Sequence, residues 1–150
     1  VNVEYVVLAD AMNFGPDGKI NLLGMGWRQL NLGQLPANVS FSIVVSLIGT
    51  RSDAGEYEAD FCLVLPDDTE ELLTRGPVVL AGPPEADVLG VVLGLDLVGK
   101  PFIRPGRYAV RIKVGTALGE YQFQVNAPDA SLEAPKAPTP RRRRAAAATR

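Results

Sequence analysis

A chain of 150 residues has room for one domain, large enough to bury a real core without disulfides or a structural metal. One cysteine, Cys62, excludes an internal disulfide and a zinc cluster, and the lack of histidine removes Ser-His-Asp and Cys-His catalysis and the commonest transition-metal ligand. The net charge of −2 is unevenly spread: residues 1–127 carry 9 Lys+Arg and 15 Asp+Glu, residues 128–150 the other 6 and 2, and so acidic a body speaks against a folded nucleic-acid surface.

Taken in chain order, the first element is a strand from about Val3 to Ala9, followed by Asp10. Asn13-Phe14-Gly15-Pro16-Asp17-Gly18 then turns the chain into a second strand, Lys19 to Gly24. Gly24 and Gly26 flank Met25, which suits a bulge or a positive φ beside Trp27, whose indole is expected to plug one end of a core. From Val39 to Leu65 the pattern predicts a hairpin. Phe41, Ile43, Val45 and Leu47 alternate with serines, Thr50 to Gly55 forms the turn, and Tyr57, Ala59, Phe61 and Leu63 return opposite a wet face of Glu56, Glu58, Asp60 and Cys62. An acidic loop, Asp67 to Glu71, follows Pro66, and strands are expected at Leu72–Leu80 and Val88–Val98. The last pair is the clearest. Tyr108, Val110, Ile112 and Val114 alternate with Arg107, Ala109, Arg111 and Lys113, and after a Gly115–Gly119 turn Tyr121, Phe123 and Val125 alternate with polar residues.

About eight short strands with no helical periodicity between them predict an all-β fold, an antiparallel β-sandwich of immunoglobulin-like or jelly-roll topology spanning residues 1–127. Pro105-Gly106-Arg107-Tyr108 is similar to the turns that bring a tyrosine into the core of immunoglobulin-like domains. Residues 128–150 differ in kind: a proline-rich spacer, then Arg141, Arg142, Arg143 and Arg144, then an alanine-rich end, a basic tail expected to be disordered.

The opening, Tyr5-Val6-Val7-Leu8-Ala9-Asp10, Gly18-Lys19-Ile20 and Leu23-Gly24-Met25-Gly26-Trp27, resembles an uncharacterised family of small single-domain bacterial proteins. Leu95-Asp96-Leu97 through Tyr108 looks like that family's second half, so the resemblance covers about residues 3–125. It implies a β-sandwich and carries over no catalytic residue, cofactor or metal.

The remaining chemistry is sparse. Asp10 and Trp27 are candidate ligand-contacting residues, although a loop cap and a core plug are the commoner reasons for such residues at these places. Asp67-Asp68-Thr69-Glu70-Glu71 is a solvated turn, with calcium binding or a carboxylate hydrolase pair as alternatives. Cys62 has no cationic neighbour at hairpin register and reads as an inert thiol. No phosphate-binding glycine loop occurs, and no cofactor is expected. The arginine run offers a tail contact for nucleic acid or an acidic partner, or is merely solvated. No run approaches ~18 apolar residues and Val1 to Tyr5 has no signal-peptide character, so a cytoplasmic protein without membrane contact is the expectation.

Three segments break the alternation of a sandwich strand. Val6-Val7-Leu8 is apolar on both faces, Val44 and Ile48 stand among the serines, and Val88 to Leu93, including Val92, is almost wholly apolar. Such strands want cover on both sides. With no amphipathic helix to supply it, Val44, Ile48, Val88 and Val92 are expected to meet a protein partner or a second copy, making the chain a non-enzymatic interaction module. The alternative is a small-ligand or carbohydrate-binding domain with carboxylate-based hydrolysis.

Overall fold

The structure, a computed structural model, describes residues 1–128. Ten strands supply nearly all its regular structure: β1 Asn2–Ala9, β2 Ala11–Phe14, β3 Ile20–Leu23, β4 Gln29–Asn31, β5 Ala37–Thr50, β6 Gly55–Val64, β7 Glu70–Leu80, β8 Val88–Phe102, β9 Gly106–Val114 and β10 Ala117–Asn126. The two strands beyond the eight expected, β2 and β4, have 4 and 3 residues, too short to display a period of two.

Two sheets pack face to face. The smaller runs β1-β5-β8 and the larger β4-β10-β9-β6-β7, antiparallel throughout except for the β4/β10 pair. The apolar faces read from the alternation meet between them: Phe41, Ile43, Val45 and Leu47 of β5 against Phe61, Leu63, Tyr108, Val110, Ile112 and Phe123 of the larger sheet. Each such side chain contributes roughly 1.5–3 kcal/mol when fully buried. The β9/β10 hairpin forms as expected, but its turn is Gly115-Thr116 and not Gly115–Gly119: Ala117 already pairs with Val114, which puts Tyr121 opposite Val110 and Phe123 opposite Tyr108. Tyr108 is buried at the start of β9, as the Pro-Gly-x-Tyr sequence suggests, and its Oη donates to the Arg104 carbonyl at 2.8 Å, tying the strand to the loop before it.

Two expectations are corrected. Val39 to Leu65 is not a hairpin, because β5 and β6 lie in different sheets. A single 3-10 turn, Arg51–Asp53, carries the chain across the core, and β6 pairs with β7 and β9 instead. Alternation cannot separate these topologies, since in both the apolar sets of the two strands point into one core. The second correction concerns cover. Val44 is fully buried, at 0% exposure, by the chain itself. The β2/β3 hairpin folds over the outer face of the smaller sheet and seats Met12 against Gly94, the residue paired with Val44. The serines beside Val44 are satisfied there: Ser42 Oγ donates to Asp96 and Ser46 Oγ to Glu4. A hairpin of four-residue strands, not a helix, supplies this second layer.

Candidate functional site

The two sheets have four edge strands, and three of them carry a device that discourages pairing with another chain. β4 is 3 residues long. β1 is bulged between Val3 and Tyr5, where Glu4 is exposed. β7 contains Pro77, which has no amide to donate, together with Arg75, Glu70 and Glu71. β8 has no such device over Val88–Leu97. That run pairs only with β5, is regular until the irregularity opposite Val39/Phe41, and has Asp96 as its single charge. Its outer side is an unbroken row of backbone donors and acceptors without partners among the described residues.

A cleft of about 290 Å³ runs beside this edge. Val92 to Leu95 form one wall, Thr74 to Val78 of β7 with Ala59 and Phe61 of β6 form the floor, and Phe14 of the covering hairpin stands over it. Ala59 and Gly76 pair across the floor, and a Cβ on Gly76 would meet nothing within 4 Å. The inward side chains Val91, Leu93, Leu95 and Leu97 are consequently only half buried, although they pack on the core.

The sequence-derived interaction residues therefore divide. Val88 at 71% and Val92 at 39% exposure lie on the free strand, Ile48 is half buried, and Val44 is withdrawn into the protein. What the sequence reading missed, the half-buried inner row of β8 and the vacant floor, has a sequence signal only in part: a long apolar run interrupted by glycine rather than by lysine or proline.

Asp10 and Trp27 do come together. Asp10 N donates to the Leu23 carbonyl and Gly26 N to that of Leu8, which clamps the loop after β3 onto the end of β1. Gly24 has φ +63° and a Cβ there would strike the Asp10 carboxylate, so a side chain at this position is doubly excluded. The indole of Trp27 stands edge-on to Phe41 and Phe123 at 5.7 and 5.5 Å, the expected plug. Its Nε1 is buried without an acceptor among the described residues. Asp10, Met25, Trp27, Gln29, Ser40 and Phe41 line a shallow cleft of about 480 Å³ in which Asp10 is the single charged residue.

The acidic loop is engaged otherwise. Asp67 is paired with Arg104 at 2.6 Å, Glu70 with Arg111 and Lys113, and Glu71 with Lys100. The hydrogen bond from Arg104 is the main reason that Asp67 is held down at about 2. No cluster of three or more metal-ligating side chains occurs among the described residues. Cys62, expected on a wet face, is buried beneath this ion-paired surface, and desolvation pushes its thiol up, away from the reactive thiolate. Arg141 to Arg144 lie outside the described residues.

A family model described as a family of unknown function, DUF6941, matches residues 4–128, and the chain belongs to that family. No curated protein matches the sequence. Among solved structures the chain is similar to a β-glucosidase from Listeria innocua in complex with isofagomine, at 17% identity and a TM-score of 0.46 over 68% of this chain and 15% of that one. Another is a β-glucosidase from Erythrobacter marinus, at 15% identity and 0.45 over 64% and 14%. A third is an alkylpurine DNA glycosylase from Pseudomonas fluorescens bound to DNA containing an abasic-site analog, at 16% and 0.36 over 81% and 30%. The chain spans less than a third of any of these, and likenesses so distant carry neither fold nor activity across.

Proposed function

We propose that this member of a family of unknown function is a non-enzymatic protein-binding module that acts by pairing the free edge of β8 with an extended segment of another protein. The observation that carries this reading is the contrast among the four sheet edges, with only Val88–Leu97 left regular, apolar and without a protective device. Support for a non-enzymatic role comes from the acidic loop, whose Asp67, Glu70 and Glu71 are held by cations and so are poorly placed to exchange protons with a substrate. A reducing compartment suits the single buried thiol of Cys62.

The test is to pan a random-peptide display library against the full chain and then against Val92→Lys. Lysine on an edge strand discourages pairing, and Val92 is exposed enough to be replaced without loss of core. The expected result is peptides that protect the β8 amides from deuterium exchange and lose binding to the variant. Peptides that bind both proteins equally, or protect other strands, would remove this reading.

A small-ligand reading retains one favourable observation, the cleft at Trp27 in which the Asp10 carboxylate faces no cation. It requires a compound whose binding is lost in Asp10→Asn.

A further inference from the structure

We infer that the cleft beside β8 is a berth for one strand of a partner protein, a segment carrying a bulky apolar side chain flanked by basic residues, and not for a second copy of this chain. This rests on the edge-pairing reading of β8 and goes further by specifying the occupant.

The berth follows from the mismatch of the sheets, five strands against three. At one flank β1 lies against β10, where Val3 and Val6 rest on Gly119. At the other flank the cleft opens between β8 and the inner faces of β6 and β7, where Gly76 faces unfilled space. A strand added to β8 would occupy that place, with β8 supplying the hydrogen bonds and Gly76, Ala59 and Thr74 the floor. Small residues facing open space under a paired strand form a socket. The side chain that the added strand points at Gly76 has room to be large, and Phe14 and Phe61 would be its apolar walls.

Charge selects the flanks. Asp96 on β8, which accepts from Ser42, Glu56 on β6, and Glu85 and Asp87 in the segment entering β8 form no ion pair among the described residues, and against these four carboxylates that segment has one cation beside it, Arg51, at the Pro83 carbonyl. Arg75, the cation of the cleft, is already held by Asp60 at 2.6 Å and Glu58 at 2.8 Å. The open charge around the berth is thus acidic and complements lysine or arginine on the incoming segment.

A second copy fits badly. Antiparallel pairing of β8 with its twin sets a two-fold axis perpendicular to the sheet, which would bring the twin's β6 and β7 into the space that β7 already holds. It would also bring together two bodies with an excess of acidic residues. The chain's own C-terminal segment fits badly: its one bulky apolar residue, Leu132, is flanked by Asp129 and Glu133 rather than by basic residues, Pro135, Pro138 and Pro140 have no amide to donate, and residues 141–150 contain no bulky apolar side chain.

The experiment titrates two synthetic peptides into the full-length nitrogen-15-labelled chain. Both alternate threonine and valine about one central phenylalanine; one is flanked by lysines and the other by glutamates. The lysine-flanked peptide is expected to shift the amides of residues 91–97 and 74–78 and to bind roughly tenfold tighter at low salt, the difference shrinking as salt is added. Replacing its phenylalanine by alanine should weaken it by about tenfold or more. Gly76→Leu, which fills the socket from below where a Cβ meets nothing, should leave the fold intact and abolish the preference for phenylalanine. Equal binding of the two peptides, indifference to Gly76→Leu, or no binding at millimolar concentration would overturn the inference. A wild-type dimer dispersed by Val92→Lys would also overturn it while sparing the edge reading. Indifference of every measurement to Val92→Lys would remove both.

Discussion

At the flank where β1 meets β10, Gly119 is pressed under Val3 and Val6, and a Cβ there would collide with both. At the opposite flank, in the cleft between β7 and β8, Gly76 is also on the inner face of its sheet, and a Cβ there would touch nothing. The same residue type is a packing device on one side and the floor of a vacancy on the other. The protein has closed one flank of the sandwich and left the other open.

The largest expected effect sharpens this contrast. Gly119→Val inserts volume where the sheets are in contact and should destabilise by about 1–3 kcal/mol, the usual cost of overpacking. Gly76→Val adds a β-branched side chain to a strand without a clash, and β propensity is expected to make it neutral or stabilising by up to about 1 kcal/mol. Chemical denaturation of the two variants checks both values. Similar losses in the two would mean that the β7/β8 flank is as tightly closed as the other.

A smaller effect is expected where the smaller sheet is covered by its own hairpin. Met12 packs over Gly94, and the truncation Met12→Ala should cost roughly 1–2 kcal/mol, below the 2–5 kcal/mol of a fully buried methionine because Met12 is half buried. Exchange of the amides around Val44 should accelerate at the same time. If it does not, the β2/β3 hairpin is not the cover that keeps Val44 from solvent.

These regions were unequally legible in the sequence. The two strands of the β9/β10 hairpin are legible from their alternation, but its turn is not: Gly119 reads as a turn residue and is instead paired with Ile112 within the ladder, leaving only Gly115 and Thr116 between the strands. The path from β5 to β6 is not legible either, since two strands that face each other across a core show the same pattern as two that pair within a sheet. Val44 was seen correctly as needing a second layer, but its cover comes from Met12, on a strand too short for periodicity to reveal. The berth is harder still: it arises from the difference in strand number between the sheets, a property of no local segment. Asp10, Gly24 and Trp27 belong to the opening pattern shared with the family, and the backbone bonds between residues 8–10 and 23–26 give that pattern a structural cause.

Acid should separate the two outer faces. On the larger sheet Asp60 is lowered chiefly by the hydrogen bond from Arg75, Glu70 by that from Lys113, and Glu120 by that from Gln122 and then Arg111. Asp67, in the loop entering β7, is held at about 2 by Arg104, below the ordinary 3.8. A carboxyl group depressed in the folded state stabilises it fully above the unfolded value, and that stabilisation is lost as pH falls through the folded value. The unfolding temperature should therefore stay level from neutrality to about pH 4–5 and decline below it towards pH 2. Arg104→Gln should lessen the decline, because Asp67 would keep only its hydrogen bonds from Thr69 and titrate closer to its unfolded value. An unfolding temperature indifferent to pH across this window would mean that the ion pairs of the larger sheet contribute nothing.

The smallest expected effect belongs to Trp27, on the closed side of the molecule. Its ring packs edge-on to Phe41 and Phe123, so replacing it with phenylalanine gives up part of that buried surface, worth roughly 1 kcal/mol for a loss of about 40 Å². Against this stands Nε1, buried with no acceptor among the described residues, and an unsatisfied donor costs about 1–3 kcal/mol to keep. The two contributions oppose each other, so Trp27→Phe should change stability by no more than about 1 kcal/mol, measured by denaturation of the full chain. Trp27→Ala, which removes the plug altogether, should cost about 2–3 kcal/mol, below the 3–5 kcal/mol of a fully buried tryptophan because Trp27 is half buried, and would mark the position as structural whatever the fate of the N–H. A loss in the phenylalanine variant approaching that of alanine would mean that the indole N–H has an acceptor in the folded protein. The cleft that Trp27 shares with Asp10 would then be the place to look for it.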